Sequence, residues 1–384
     1  MKILAICFQL GDAMPTIAAN LLGQLMPEHK VDLLSDVEPK RPIEGIGRCY
    51  TLPYPTKWVA WQRRFIRWFG ATPVSNCWSR KAEKMVARDY DVVISFLNNV
   101  NLTSIVAGKR IAQMLGCKFA IYTVDAFPAP GGWIRKRSEF RGKRWIATRI
   151  FSAADLVAAS NSHMLEYQLS LCKPSATRRG VTLLTPSPIC RYEYPASEEL
   201  LLLYTGNFYG LRNPSHFLKA FKRLLVKYPQ AKFMVIGRDT RLRNVEEILT
   251  EEEQQHIETL EYTTDLSPYF SRAKVLVDID ADREKDPFLS SKITSYLKIN
   301  RVILSETGRI TPSREMFAGL DTVVQCDHNE ESLYNGMIRA IEVADSSPDF
   351  SERDSLIEEF SVERVGAILN ESLKQICSSE KGSN

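Results

Sequence analysis

The chain has 384 residues, 44% of them hydrophobic and 25% charged, with a formal net charge of +4. This is ordinary globular composition and argues against a fibrous, disordered or membrane-spanning chain. The length predicts two domains, and the mild charge matters only where it is clustered.

Eight cysteines are scattered without a CxxC pair, and the five histidines form no HxH or HExxH arrangement. Neither pattern suits structural zinc or His/Cys metal catalysis, so no metal and no cofactor are expected. Free cysteines in apolar contexts fit a reduced, cytoplasmic setting. The opening Met1-Lys-Ile-Leu-Ala-Ile-Cys-Phe8 is too short for a signal peptide, and no apolar run reaches the roughly 18 residues a spanning helix needs. A soluble or membrane-surface protein is the expectation.

In chain order, Lys2–Phe8 reads as a buried strand, followed by Gly11 in a turn, a helix over Ile17–Leu25 and a strand at Val31–Leu34. This βαβ opening starts a parallel, doubly wound sheet. A helix around Arg80–Arg88 precedes strands at Asp91–Phe96, Phe119–Val124 and Asp155–Ala159. Asp125 ends the second of these, and Ser160 and Asn161 follow the third, where ligands sit in open α/β sheets. The Pro-containing segments Leu184–Ile189 and Tyr192–Pro195 read as a linker.

A parallel sheet then begins again. Leu200–Tyr204 is a strand, Thr205–Pro214 a turn-rich loop, Ser215–Lys227 an amphipathic helix and Lys232–Ile236 the next strand. Strands at Lys274–Asp278, Arg301–Leu304 and Thr322–Gln325, and a helix over Leu333–Ala344, continue the unit. A last helix over Ser361–Ile376 carries Val362, Val365, Leu369, Leu373 and Ile376 on one face. The predicted domains are 1–190 and 198–360, with 361–377 as a terminal helix.

The segment Asp286-Pro-Phe-Leu-Ser-Ser-Lys-Ile-Thr-Ser-Tyr-Leu-Lys-Ile-Asn-Arg-Val-Ile-Leu304 is the most informative. Ser290 or Ser291 is placed to cap a helix, whose N-terminal N–H groups and partial positive charge favour a phosphate. Lys292 adds a full charge there.

With these residues the chain resembles the GT-B glycosyltransferases, in particular the retaining type often called family 4. The resemblance covers most of the chain and is strongest over about residues 200–304. It implies two Rossmann-like α/β domains facing a cleft, the donor mainly on the second and the acceptor mainly on the first. It also implies a terminal helix crossing back to the first domain, and Phe360-Ser-Val-Glu-Arg-Val365 looks like its start. The family often has Arg, then Lys five residues on, after the second domain's first strand, both holding the donor diphosphate. Here Asn207 replaces the Arg and Arg212 the Lys, following Gly206. Ile236-Gly-Arg238 resembles the Gly-rich turn near the base, which implicates Gly237 and Arg238. Ser291-Lys-Ile-Thr-Ser-Tyr-Leu297 resembles the family's "PSKL-x-(E/D)-Y-(L/M)" helix.

Two glutamates eight residues apart, for sugar and ribose, are common in the family. Here Pro287 and Ser295 occupy those positions, with Asp286 the nearest acid to the first. The resemblance implies a retaining, metal-independent transfer from a UDP- or GDP-type sugar to a glycan or lipid-linked hydroxyl. Surface polysaccharide synthesis (capsule, exopolysaccharide or O-antigen) is the expected setting. Arg212, Lys292 and the N–H groups around Ser291 would stabilise the leaving diphosphate. Asp125 would orient the acceptor, and Gly11 and Asp12 would let backbone approach the donor sugar.

Two basic, aromatic segments fall in the first domain. Trp58, Trp61, Phe65 and Trp68 recur at helical spacing with Arg63, Arg64 and Arg67 between them. Trp133–Trp145 carries Arg135, Lys136, Arg137, Arg141, Lys143 and Arg144. Such faces favour anionic membrane surfaces; the alternative is a core stripe with a solvated face. No nucleic-acid motif accompanies the charge. The rival readings are a weakened GT-B partner subunit and a nucleotide-sugar epimerase. A dinucleotide dehydrogenase is disfavoured because no GxGxxG follows the first strand.

Overall fold

The computed structural model describes residues 1–8, 14–39, 43–97, 102–134, 136–238, 242 and 244–378. Among the described residues, thirteen strands form two all-parallel sheets. The first holds β1 (Lys2–Cys7), β2 (Lys30–Ser35), β3 (Cys49–Thr51), β4 (Val92–Leu97), β5 (Lys118–Thr123), β6 (Leu156–Ala159) and β7 (Arg179–Thr182). The second holds β8 (Leu201–Thr205), β9 (Lys232–Gly237), β10 (Ile257–Glu261), β11 (Val275–Ile279), β12 (Val302–Glu306) and β13 (Val323–Cys326).

The central strands are near-continuous apolar runs because helices cover both faces of a parallel sheet. Every residue of β4, β11 and β12 is buried. The spatial orders are β3-β2-β1-β4-β5-β6-β7 and β10-β9-β8-β11-β12-β13. Counted from each sheet's own first strand, both begin 3-2-1-4-5-6, the doubly wound order. The direction of winding reverses between β1 and β4 in one sheet and between β8 and β11 in the other. Pairing at the second reversal sets Val275 beside Leu202 and Leu276 beside Leu203.

The chain divides into a unit of Met1–Pro188 with Glu359–Asn384 and a unit of Ile189–Glu358. In the first, the terminal helix Val362–Ser378 packs on Met14–Leu25. A Cβ on Gly366 would lie 2.3 Å from that of Gln24, so a larger residue would force the helices apart. Val365, Leu369, Leu373 and Ile376 share a core with β1, β2 and β4. In the second unit, Ser215–Lys227 buries Phe217, Phe221 and Leu224 against β8 and β9.

Gly11, Asp12 and Arg135 lie outside the described residues. The 286–304 segment departs from expectation. The helix is a single turn, Ile293–Tyr296, whose N-cap position is Lys292 with no side-chain cap. Neither Ser290 nor Ser291 caps it. So short a helix offers no appreciable macrodipole, and the charge at this place belongs to side chains.

Candidate functional site

The carboxyl ends of β8 and β11 flank the reversal of the second sheet, where open α/β sheets place their ligands. The loop after β8 turns at Gly206, whose φ of +139° is a conformation that L side chains rarely adopt. A Cβ on Gly237, ending β9, would lie 2.2 Å from the Gly206 carbonyl oxygen. The two loops therefore touch only because Gly237 lacks a side chain. Asn207 fixes the contact: its Oδ1 accepts from the Arg238 backbone N–H at 2.8 Å. Arg238 in turn lies over the ring of Tyr262, 4.9 Å from the centroid.

Behind these loops sit two largely buried cations and two buried carboxylates. Lys292 Nζ is 3.0 Å from Asp278 Oδ1, and both side chains are withdrawn from solvent. Ser290 Oγ donates to the same oxygen at 2.9 Å. The Lys292 ammonium also lies 4.7 Å from the Tyr204 ring centroid. Burial works against its charge, but Asp278 and Tyr204 outweigh burial and its pKa goes up. Tyr296 Oη bonds the backbone N–H of Thr205 at 2.8 Å, pinning the one-turn helix to the end of β8.

Arg212 Nη2 lies 3.9 Å from Asp280 Oδ1, and its guanidinium packs 5.2 Å from the ring centroid of Tyr209. Asp280 Oδ2 accepts from Thr307 Oγ1 at 3.3 Å and Ser313 Oγ at 3.1 Å. Burial, and then the neighbouring Asp278, push the Asp280 carboxyl up to about 7. Among the described residues, Arg212 Nε and Asp278 Oδ2 are buried without a hydrogen-bond partner. A buried donor or acceptor left unmade costs about 1–3 kcal/mol. The cluster therefore holds one unused donor on a cation and one unused acceptor on an acid.

Of the predicted residues, Gly206, Asn207, Arg212, Gly237, Arg238, Ser290 and Lys292 all fall at this edge. Ser295 is exposed on the one-turn helix, and Ser291 is exposed in the turn before it. Asp286 is buried, and its Oδ1 accepts from the Phe288 N–H at 3.3 Å. Asp278, Asp280, Tyr204 and Tyr262 escaped the sequence reading. The one available signal was an acid at alternate positions, 278 and 280, leaving an apolar strand on one face.

In the first unit, Asp125 lies just past the carboxyl end of β5. The two basic segments become neighbouring helices, Val59–Phe69 and Arg137–Phe151. Gly142 allows their contact, since a Cβ there would meet the Ile66 carbonyl oxygen, and Arg67 Nε donates to Ser138 Oγ at 3.0 Å. The first helix is anchored by Gln62 and Ile66, not by its aromatic stripe. Trp58, Trp61, Trp68, Phe69 and Trp145 are each 50–71% exposed, which excludes the core-stripe alternative. Arg64, Arg67 and Arg149 lie over the rings of Trp61, Trp68 and Trp145. Among the described residues, no helix is long and apolar enough to cross a membrane.

No family model matches the chain, and no curated protein matches it. Solved structures do. The chain is similar to Anabaena Alr3699/HepE in complex with UDP, at 12% identity and a TM-score of 0.67, over 98% of this chain and 100% of that one. TarM aligns at 9% identity and 0.70, over 98% and 99%. The lipopolysaccharide outer core galactosyltransferase WaaB aligns at 13% and 0.63, over 98% and 99%. These are GT-B glycosyltransferases. The chain has the GT-B fold. At such identities the likeness is one of fold alone. Within this GT-B chain, the cations and carboxylates described above cluster at the second sheet's reversal.

Proposed function

We propose that this chain is a glycosyltransferase that moves a sugar from a nucleoside-diphosphate sugar to a hydroxyl of a glycan or lipid-linked acceptor. The observation that carries the reading is the buried pair Arg212 and Lys292, with an unpartnered Arg212 Nε–H among the described residues. A departing diphosphate gains negative charge as the glycosidic bond breaks. Fixed cations in a dry site stabilise that charge without reorganising. Arg212 and Lys292 supply this role in place of a metal, so the transfer is metal-independent. In the retaining transfer that the resemblance implies, the acceptor oxygen bonds to the anomeric carbon on the face the diphosphate leaves, the carbon–phosphate-oxygen bond breaks, and the hydroxyl proton passes to the departing phosphate oxygen. Asp278, with its unused Oδ2, suits a donor hydroxyl, as does Asp286. Asp125 orients the acceptor hydroxyl.

The HepE complexes with UDP and with UDP-glucose make a uridine nucleotide the first candidate, ahead of GDP. Tyr262 and Arg238 offer a stacking platform for the base. Family 4 membership and surface-polysaccharide synthesis are part of the same proposal, supported by the Ser291–Leu297 motif. A thermal-shift screen against UDP, GDP, CMP and their sugars tests it. A ligand at about 100 times its Kd adds about 2.7 kcal/mol, so one nucleoside diphosphate should raise Tm by about 5–10 °C, with EDTA present. No shift with any of them contradicts the reading. The partner-subunit reading, favoured by Pro287 and Ser295, gives binding without donor hydrolysis or transfer.

The exposed aromatic and basic face of the first unit supports contact with an anionic bilayer carrying the acceptor. Flotation with phosphatidylglycerol-containing vesicles should recover the protein, less so as salt rises, and much less after Trp61→Ala with Trp68→Ala. Recovery on neutral vesicles only, or on none, counts against the membrane part.

A further inference from the structure

The two cations of the site are already matched by two acids. With Arg212, Lys292, Asp278 and Asp280 all ionised, the local charge is zero: two positive against two negative. A diphosphate brought to that site adds like charge beside two buried carboxylates, and one of them must give way. The surroundings identify which.

Asp278 Oδ1 accepts from both the Lys292 ammonium at 3.0 Å and the Ser290 hydroxyl at 2.9 Å, so it is matched at close range by a cation and a donor. Asp280 is bound more loosely and more adaptably. Its contact to Arg212 is 3.9 Å long. Among the described residues its Oδ2 accepts from hydroxyls, those of Thr307 and Ser313. Hydroxyls donate to a carboxylate and accept from a carboxylic acid with equal ease. Thr307 Oγ1 is 2.8 Å from Thr311 Oγ1, a bond in which either atom can donate, and Thr311 Oγ1 reaches the Gly308 carbonyl at 3.2 Å. That chain of hydroxyls can reverse when Asp280 gains a proton.

We propose that Asp280 takes up a proton when a diphosphate seats on Arg212 and Lys292, so that donor binding draws a proton from solution. The inference rests on the donor-site reading above. Protonation frees Arg212 for the incoming phosphate and leaves the site with one net positive charge. The other charged groups facing Asp280 are in place for both states. Asp278 lies on its own strand, Arg212 on the loop after β8 and Lys292 at the one-turn helix. The Glu306–His328 pair, with Nδ1 3.0 Å from Oε1, stands at the ends of β12 and β13. Asp282 and His216 pair at 3.6 Å beyond. The Asp280 carboxyl, held at about 7 before any anion arrives, is driven higher by the anion's charge.

Linkage fixes the sign. Binding that requires the protonated acid is weakened by the fraction of protein lacking that proton. Above pH 7 that fraction grows, so affinity falls as pH rises. For an acid near 7 the loss between about pH 6 and about pH 8 is about tenfold.

Calorimetric titration of UDP into the full chain tests this, near pH 8 in two buffers of different ionisation enthalpy. The wild type should take up most of one proton per UDP bound. Asp280→Asn should take up none, and its affinity relative to wild type should rise about tenfold from about pH 6 to about pH 8. Equal uptake in both proteins, or none in the wild type, overturns the inference while leaving the donor site standing. The wild-type result decides alone if the variant does not fold, because binding without uptake is already contradictory. Failure of UDP to bind overturns the inference together with the donor-site reading.

Discussion

Lys292→Ala will cost the fold about 3–5 kcal/mol, because it leaves the Asp278 carboxylate buried without its cation. The ammonium lies 3.0 Å from a carboxylate that is fully withdrawn from solvent. Removing one member of such a pair is worse than removing both, since the survivor keeps its desolvation penalty. The double variant Asp278→Asn with Lys292→Met should therefore regain most of the lost stability. Urea unfolding of the three proteins measures this. A single-variant loss under about 1 kcal/mol, or a double variant no better than Lys292→Ala, would show that the pair is not a coupled buried unit. The same lysine is assigned to the diphosphate, so its loss of binding must be read from protein shown to be folded.

Arg353→Leu should cost about 2–4 kcal/mol. The residue is fully buried and its guanidinium makes four bonds: to Thr322 Oγ1, and to the carbonyls of Ile299, Arg301 and Thr322, at 2.7–3.1 Å. Burial pushes its pKa down to about 9, against the pull of Glu352. The charge is tolerated because it ties the approach to β12 to the start of β13. Leucine would leave the Arg301 carbonyl without its donor, and a cavity where the guanidinium was. Ile299 and Thr322 keep backbone partners, which is why the cost is not larger. Arg353→Lys should recover part of it. Denaturant unfolding with a loss under about 1 kcal/mol for the leucine variant would contradict this.

Most of the fold could be read from the sequence because buried parallel strands announce themselves as apolar runs. The helix Ser215–Lys227 and both sheet beginnings follow from periodicity. The three strands missed are Cys49–Thr51, Arg179–Thr182 and Ile257–Glu261, all at sheet edges and none with a fully buried residue. An edge strand is half solvated, so its sequence carries little apolar signal. The site was legible in its glycines and cations, which stand in loops beside strand ends. Its acids were not. Asp278 stands at the end of an expected strand and Asp280 just beyond it, and nothing in the sequence shows that Lys292 and Arg212 return to pair with them. The helix expected after Ser290 is one turn long, and Tyr296 at its end is bonded to the Thr205 backbone N–H. Spacing placed the tryptophans on one helical face but not which face; the buried Gln62, bonded to Tyr54 and Ser75, decides that the neighbouring face, not the tryptophan one, points inward.

The most direct test of the donor site is calorimetric titration of wild type and Arg212→Met with the nucleoside diphosphate that gives the largest thermal shift. Methionine fills much of the arginine stem and removes only the donors. Loss of charge-assisted bonds to phosphate is worth about 1.5–3 kcal/mol, so affinity should fall about 10- to 150-fold in a variant that unfolds like the wild type. Equal affinities in the two proteins would contradict a diphosphate seated on Arg212.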